Sequence, residues 1–123
     1  MQTSKNQPFF KRLRFAWAGI AHAMRAEHSV RLQSCAFGLV LIALVALRPE
    51  PEWWAIVIVT SAAVISAELF NTALEHLADH LHPEIHPSIR IVKDCAAAAV
   101  LVTSLAALAV AAAFAFHLAA RWS

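Results

Sequence analysis

Residues 68–80 read ELFNTALEHLADH, and four of them, Glu68, Asn71, Glu75 and Asp79, carry groups that bind cations, take up protons or position a polar substrate. At about 100° per residue, Asn71 sits about 60° behind Glu68 on a helix, and Glu75 and Asp79 fall within about 20° of it. All four therefore share a face. The fifteen residues before them, 53–67, contain no charge. A carboxylate at the centre of a membrane-spanning helix costs about 2.5–3.5 kcal/mol on insertion scales, and less toward the interface. Glu68 and Glu75 must therefore be paired, hydrated or bound to a cation. Such residues usually mark ion, proton or substrate sites. The alternative is a structural seam that hydrogen-bonds neighbouring helices and fixes their register.

Other chemistry-bearing residues are scattered along the chain. Glu27 precedes the first apolar stretch, and Lys93 and Asp94 open the last one. Lys93 and Asp94 form either a plain interfacial pair or, opposite an acidic face, a phosphate contact through Lys93. His76, His80, His82 and His86 crowd the same region, and the first two have the i, i+4 spacing that lets two imidazoles share a metal. With no cysteine among them, the simpler reading is interfacial histidines on a loop broken by Pro83 and Pro87. Cys35 and Cys95 read as buried free thiols. Two glycines, Gly19 and Gly38, cannot build a P-loop or a dinucleotide-binding turn.

The elements that must position these groups follow from composition. Of 123 residues, 60% are hydrophobic and 15% charged, with mean hydropathy +0.61. That leaves too little polar residue to coat a soluble domain of this size. The expected fold is an all-α membrane protein of one domain, 1–123, with three transmembrane helices over 32–48, 53–79 and 93–120, and a loop over 80–92. Only the last apolar run, 95–120, reaches without a charge the roughly 20 residues that cross a bilayer. Residues 8–28 form a separate amphipathic surface helix, with Phe10, Leu13, Trp17, Ile20, Ala21 and Met24 at three- and four-residue steps. The N-terminus is not expected to be a signal peptide, because its apolar run starts only at Leu32.

Charge orients the spans. Lys5, Lys11, Arg12, Arg14, Arg25, Arg31, Arg90 and Lys93 fall on one side, and Arg48 and Arg121 on the other. The positive-inside rule thus predicts a cytosolic N-terminus and second loop, with the first loop and C-terminus outside. Trp53, Trp54 and Trp122 fit an outer aromatic belt. In this topology Glu27, the Glu68–Asp79 face and Lys93–Asp94 all converge at the cytosolic membrane surface.

ELFNTALEHLADH, followed after a short loop by KDCAAAAVLV, closely resembles the signature of the small bacterial integral-membrane lipid kinases, the prokaryotic diacylglycerol kinases and their undecaprenol kinase relatives. The shared pattern is E-x-x-N-[ST]-A-x-E-x-x-x-D and then K-D-x-x-[AG]-A-V. The likeness extends from FFKRLRFAWAGI to the middle of the last helix. It implies a homotrimeric helix bundle in the bacterial inner membrane, with active sites at the cytosolic surface between protomers. It implies ATP as co-substrate, Mg2+ as cofactor and the hydroxyl of a membrane lipid alcohol, diacylglycerol or undecaprenol, as acceptor. No nucleic-acid partner is implied.

By the same resemblance, Glu68 is the general base and Asn71 a positioning group. Glu27 and Glu75 hold the magnesium ions of ATP. Lys11, Phe15, Glu84, His86, Lys93 and Asp94 join them in contacting the nucleotide. Arg14, Trp17 and Arg31 border the lipid beside Glu68. Phe15 and Ile85 depart from the commoner pattern, since relatives often carry an aromatic hydroxyl or another loop residue there. NTALEH and HPSIRIVKD look somewhat nearer the undecaprenol kinase branch.

These residue types suit phosphoryl transfer, which needs positioning, neutralised phosphate charge and a base near the attacking hydroxyl. Carboxylate oxygens suit magnesium, and a lysine suits phosphate. A proton- or metal-coupled transporter is the competing reading. It predicts polar residues across the whole bilayer, whereas 54–59 and 108–114 are apolar. A purely structural oligomerisation module accounts for the alanine-rich last helix, but leaves Glu27, Glu75 and Lys93–Asp94 unexplained.

Overall fold

The computed structural model describes residues 6–123; Lys5 lies outside the described residues. Those residues form α1 (Phe9–Ala26), α2 (His28–Leu47), α3 (Pro51–Leu81) and α4 (Pro87–Trp122), with no strand among them. The last three helices, of 20, 31 and 36 residues, have mean hydropathies of 2.1, 1.8 and 2.4 over their most apolar windows and are long enough to cross a membrane.

Each boundary has a local cause. α1 stops at Glu27, whose extended backbone (φ −115°, ψ 119°) separates it from α2 by that single residue. The Arg31 guanidinium reaches back from α2 and donates to the Met24 and Arg25 carbonyls, both at 2.9 Å. It thereby satisfies two acceptors that the end of α1 leaves open. α2 ends at Arg48, in the left-handed region at φ 47°, and Pro49 follows. Pro51 then starts α3 at a position where its missing N–H costs nothing. Pro87 does the same for α4, and the His86 ring accepts the Ser88 amide proton at 3.1 Å. α4 therefore begins six residues before the span predicted from residue 93. Proline and a capping ring decide where a helix begins, whereas apolarity decides how much of it lipid accepts.

α3 packs most extensively against α4, then against α2, while α1 touches both α2 and α3. Two polar contacts hold the α3–α4 hairpin at its opposite ends. Lys93 Nζ lies 2.5 Å from Asp79 Oδ1, and His117 Nε2 lies 2.9 Å from Glu50 Oε2. Trp53 packs against Phe114 and His117, with ring centroids 5.0 and 5.2 Å away. Thr60, Thr72 and Thr103 return their hydroxyls to carbonyls four residues earlier, so these polar groups are satisfied within their own helices.

The hydrophobic core is thin: Ala23, Val30, Leu44, Val57, Val64, Ala78 and Ala96 are the buried apolar side chains. The chain exposes 9347 Å², against about 6,500 Å² expected for a compact soluble monomer of this mass. Long apolar helices that bury so little of themselves suit a bilayer rather than water. Cys35 and Cys95, expected to be buried, are free thiols exposed on the surface of the chain. Their flanking helices turn those faces outward.

Candidate active site

Glu68 is the one charged residue that the chain buries, at 3% exposure, among the described residues. It shares the inward face of α3 with Val57 and Val64, which lie eleven and four residues before it. Ser29, in the first turn of α2, donates its hydroxyl to Glu68 Oε2 at 3.0 Å. Below it, Thr72 Oγ1 donates to the Glu68 carbonyl at 3.0 Å. Asn71 is half-buried, and its Oδ1 is sealed from solvent with no hydrogen-bond partner among the described residues. A buried amide oxygen left unpaired forfeits about 1–3 kcal/mol, so this position calls for a donor or a cation.

Glu75, one turn further along, is half-buried. It interacts electrostatically with the Lys93 ammonium. Glu27 occupies the N-cap position of α2 but makes no side-chain capping bond. Its carboxylate is thus not consumed by its own helix, where an acidic residue would ordinarily cap. Among the described residues no group of three or more His, Cys, Asp or Glu gathers into a metal cluster. Magnesium commonly binds through one or two carboxylates together with substrate phosphates. Glu27, which makes no capping bond, and the half-buried Glu75 each offer carboxylate oxygens, and Asn71 an unpaired amide oxygen, donors of the kind that magnesium takes.

The other predicted residues fall into two groups. Glu84, His86, Lys93 and Asp94 line a cavity of about 240 Å³ at the α3–α4 turn, together with Asp79, His82 and Arg90. Here Asp79 holds Lys93, and Arg90 Nε lies 3.9 Å from Asp94 Oδ2. Ile85, at the tip, is fully exposed. Lys11, Arg14, Phe15 and Trp17 all lie exposed on α1 and line no part of that cavity. Arg31 is engaged with the end of α1. A single chain thus assembles the acidic face and the α3–α4 turn but leaves the α1 residues apart from them.

The sequence reading missed Ser29 and His22. His22 meets His76 edge-to-face, with centroids 5.8 Å apart, beside a cavity of about 970 Å³ between α1 and α3. His80 lines the same cavity, which is otherwise mostly apolar. For Ser29 the available signal was a hydroxyl two residues after Glu27, at the membrane depth of the acidic face.

Helices of this length around a buried carboxylate and an unpaired amide define a small polytopic membrane protein with a polar site toward one end of its bundle. More particularly, the chain belongs to the prokaryotic diacylglycerol kinase family, whose model matches residues 14–115. It is 37% identical over 98 residues to a protein of Synechocystis sp. named diacylglycerol kinase, covering 79% of this chain and 56% of that protein. It is 34% identical over 94 residues to a protein of Bacillus subtilis named undecaprenol kinase, covering 76% of each. The chain thus spans little more than half the length of the first relative.

Proposed function

We propose that the protein is an ATP- and magnesium-dependent lipid kinase that phosphorylates the hydroxyl of a membrane lipid alcohol at the cytosolic surface of the bacterial inner membrane. The observation that carries this reading is the buried Glu68 beside the unpaired Asn71 Oδ1, on a chain of this family. Glu68 Oε1 makes no hydrogen bond and is not sealed from its surroundings among the described residues. It is the atom free to receive a proton. The lipid hydroxyl gives its proton to Oε1 as its oxygen bonds to the γ-phosphorus and the bond to ADP breaks. Asn71 orients the reacting groups.

Glu27 and Glu75 would hold Mg2+, which supplies neutralisation of the phosphate charge when bound. Lys93, Asp94, Glu84 and His86 receive the nucleotide in the cavity at the α3–α4 turn. Lys11, Arg14, Phe15, Trp17 and Arg31 border the lipid and nucleotide from α1 and the start of α2. The N-terminus and the α3–α4 turn are cytosolic by the distribution of basic residues.

Two features support a surface-lying α1 and a homotrimer. The apolar side chains of α1 are unsheltered, with Phe10 81% and Trp17 73% exposed, as a helix resting on lipid requires. The α1 residues and the α3–α4 turn do not meet within one chain, so a neighbouring copy completes the site. Purified protein with magnesium-ATP and either diacylglycerol or undecaprenol in mixed micelles tests the activity. Transfer of phosphate to one of them identifies the acceptor, and transfer to neither overturns the reading.

A further inference from the structure

We propose that Ser29 is a positioning residue for Glu68, one that assigns different work to the two carboxylate oxygens. The inference rests on the reading of Glu68 as the base. Ser29 Oγ donates to Oε2 at 3.0 Å. It is the one side-chain donor to that carboxylate among the described residues, while Oε1 keeps no hydrogen bond. A carboxyl group with both oxygens free turns about its terminal torsion over a broad range. With Oε2 tethered, the torsion is restricted and Oε1 is presented in a set direction. A base must lie within hydrogen-bond reach of the proton it takes, so this restriction bears directly on the chemical step.

The tether also links two parts of the site. Glu27 is the N-cap of α2, and Ser29 is its second residue, so both ride on one rigid turn. Through Ser29, α3's Glu68 is held in register with the carboxylate proposed to hold the metal. The hydroxyl is suited to this task because it is short and bears no charge. It can donate without neutralising the base, as a lysine or arginine there would. Ser29 as a whole is exposed, while its hydroxyl reaches inward to the part-buried bond with Glu68.

The test compares Ser29→Ala, Ser29→Cys and Ser29→Thr in the micelle assay, with Glu68→Gln beside them. Ser29→Ala and Ser29→Cys, which lose the hydroxyl donor, lower kcat on the order of tenfold with KM for magnesium-ATP unchanged. Ser29→Thr, which keeps the hydroxyl, recovers most of the rate. An unchanged kcat in the Ala and Cys variants overturns the inference. So does a loss that appears as a raised KM or a lower thermal midpoint instead. Full activity in Glu68→Gln would instead overturn the base assignment itself. Infrared difference spectra read the hydrogen bond without turnover: the carboxylate band moves between parent and Ser29→Ala, and that movement vanishes in a Glu68→Gln background. Absence of a Glu68-dependent band shift refutes the tether whatever lipid is used.

Discussion

The Lys93 ammonium rests 2.5 Å from Asp79 Oδ1, so the cation proposed to receive phosphate is held by a carboxylate from the end of the neighbouring helix. Both side chains remain partly exposed, at 37% and 64%, and solvent screening keeps a surface pair of this kind weak. A nucleotide phosphate can displace such a partner. Asp79→Asn is therefore expected to lower KM for magnesium-ATP several-fold by releasing Lys93, and Lys93→Met to raise it at least about tenfold. Initial rates over a range of ATP concentrations check both. A higher KM in Asp79→Asn would make Asp79 an aligner of the lysine rather than its competitor.

Replacing Glu68 by Gln keeps the shape of the side chain but removes its capacity to take a proton. General-base catalysis contributes on the order of 10²–10⁴-fold, so Glu68→Gln should lose at least about 10²-fold in kcat. Single-turnover phosphate transfer measures that step directly, and a fully active variant places the base elsewhere.

Glu75→Gln is expected to raise the magnesium concentration needed for half-maximal rate, because one of two anionic oxygen donors is gone. Glu27→Gln should do the same. A magnesium titration at saturating ATP decides, and unchanged half-saturation in both variants moves the metal to other residues.

Arg31 closes the end of α1 through two carbonyls, both at 2.9 Å. Its removal in Arg31→Ala should loosen the last turn of α1 by about 1 kcal/mol, after allowance for solvent screening. Hydrogen exchange at Ala23–Ala26 should then accelerate while exchange in α4 stays unchanged. Equal acceleration in both regions would indicate general destabilisation.

At the other end of the hairpin, the Glu50 carboxyl is held below its ordinary value of 4.5, first by a bond from its own backbone amide and then by the His117 ring. A carboxylate with a lowered folded-state value stabilises the protein above the unfolded value, and that contribution is lost as pH falls through the folded one. The thermal midpoint should therefore drop as pH is lowered from about 5 to about 3, and drop less in Glu50→Gln. Parallel curves for parent and variant would remove Glu50 from the account.

The helices and the acidic face were readable because they depend on periodicity and apolar length alone. Glu68, Asn71 and Glu75 needed only about 100° per residue to share a side, and α3 carries them on one continuous helix. What could not be read depends on which atoms meet across helices. Nothing in the spacing of Ser29 and Glu68, thirty-nine residues apart, announces their hydrogen bond. Arg31, which the resemblance sets beside the lipid, also bonds the Met24 and Arg25 carbonyls at the end of α1, a contact that its place in the sequence does not announce. Lys93 and Asp79 likewise pair only because a five-residue turn, 82–86, brings the ends of α3 and α4 together.

Glu27 alone separates α1 from α2, and that makes α1 a lever with its fulcrum at a proposed metal ligand. Eighteen residues of helix extend about 27 Å, so a turn of about 10° at the fulcrum sweeps the far end through about 5 Å. Conversely, a broad displacement of α1, the helix proposed to rest on lipid, would arrive at the Glu27 carboxylate as a small rotation. Bilayer thickness, headgroup charge or a fusion partner attached ahead of α1 would then act on the chemistry through one joint, at a distance from every reacting atom.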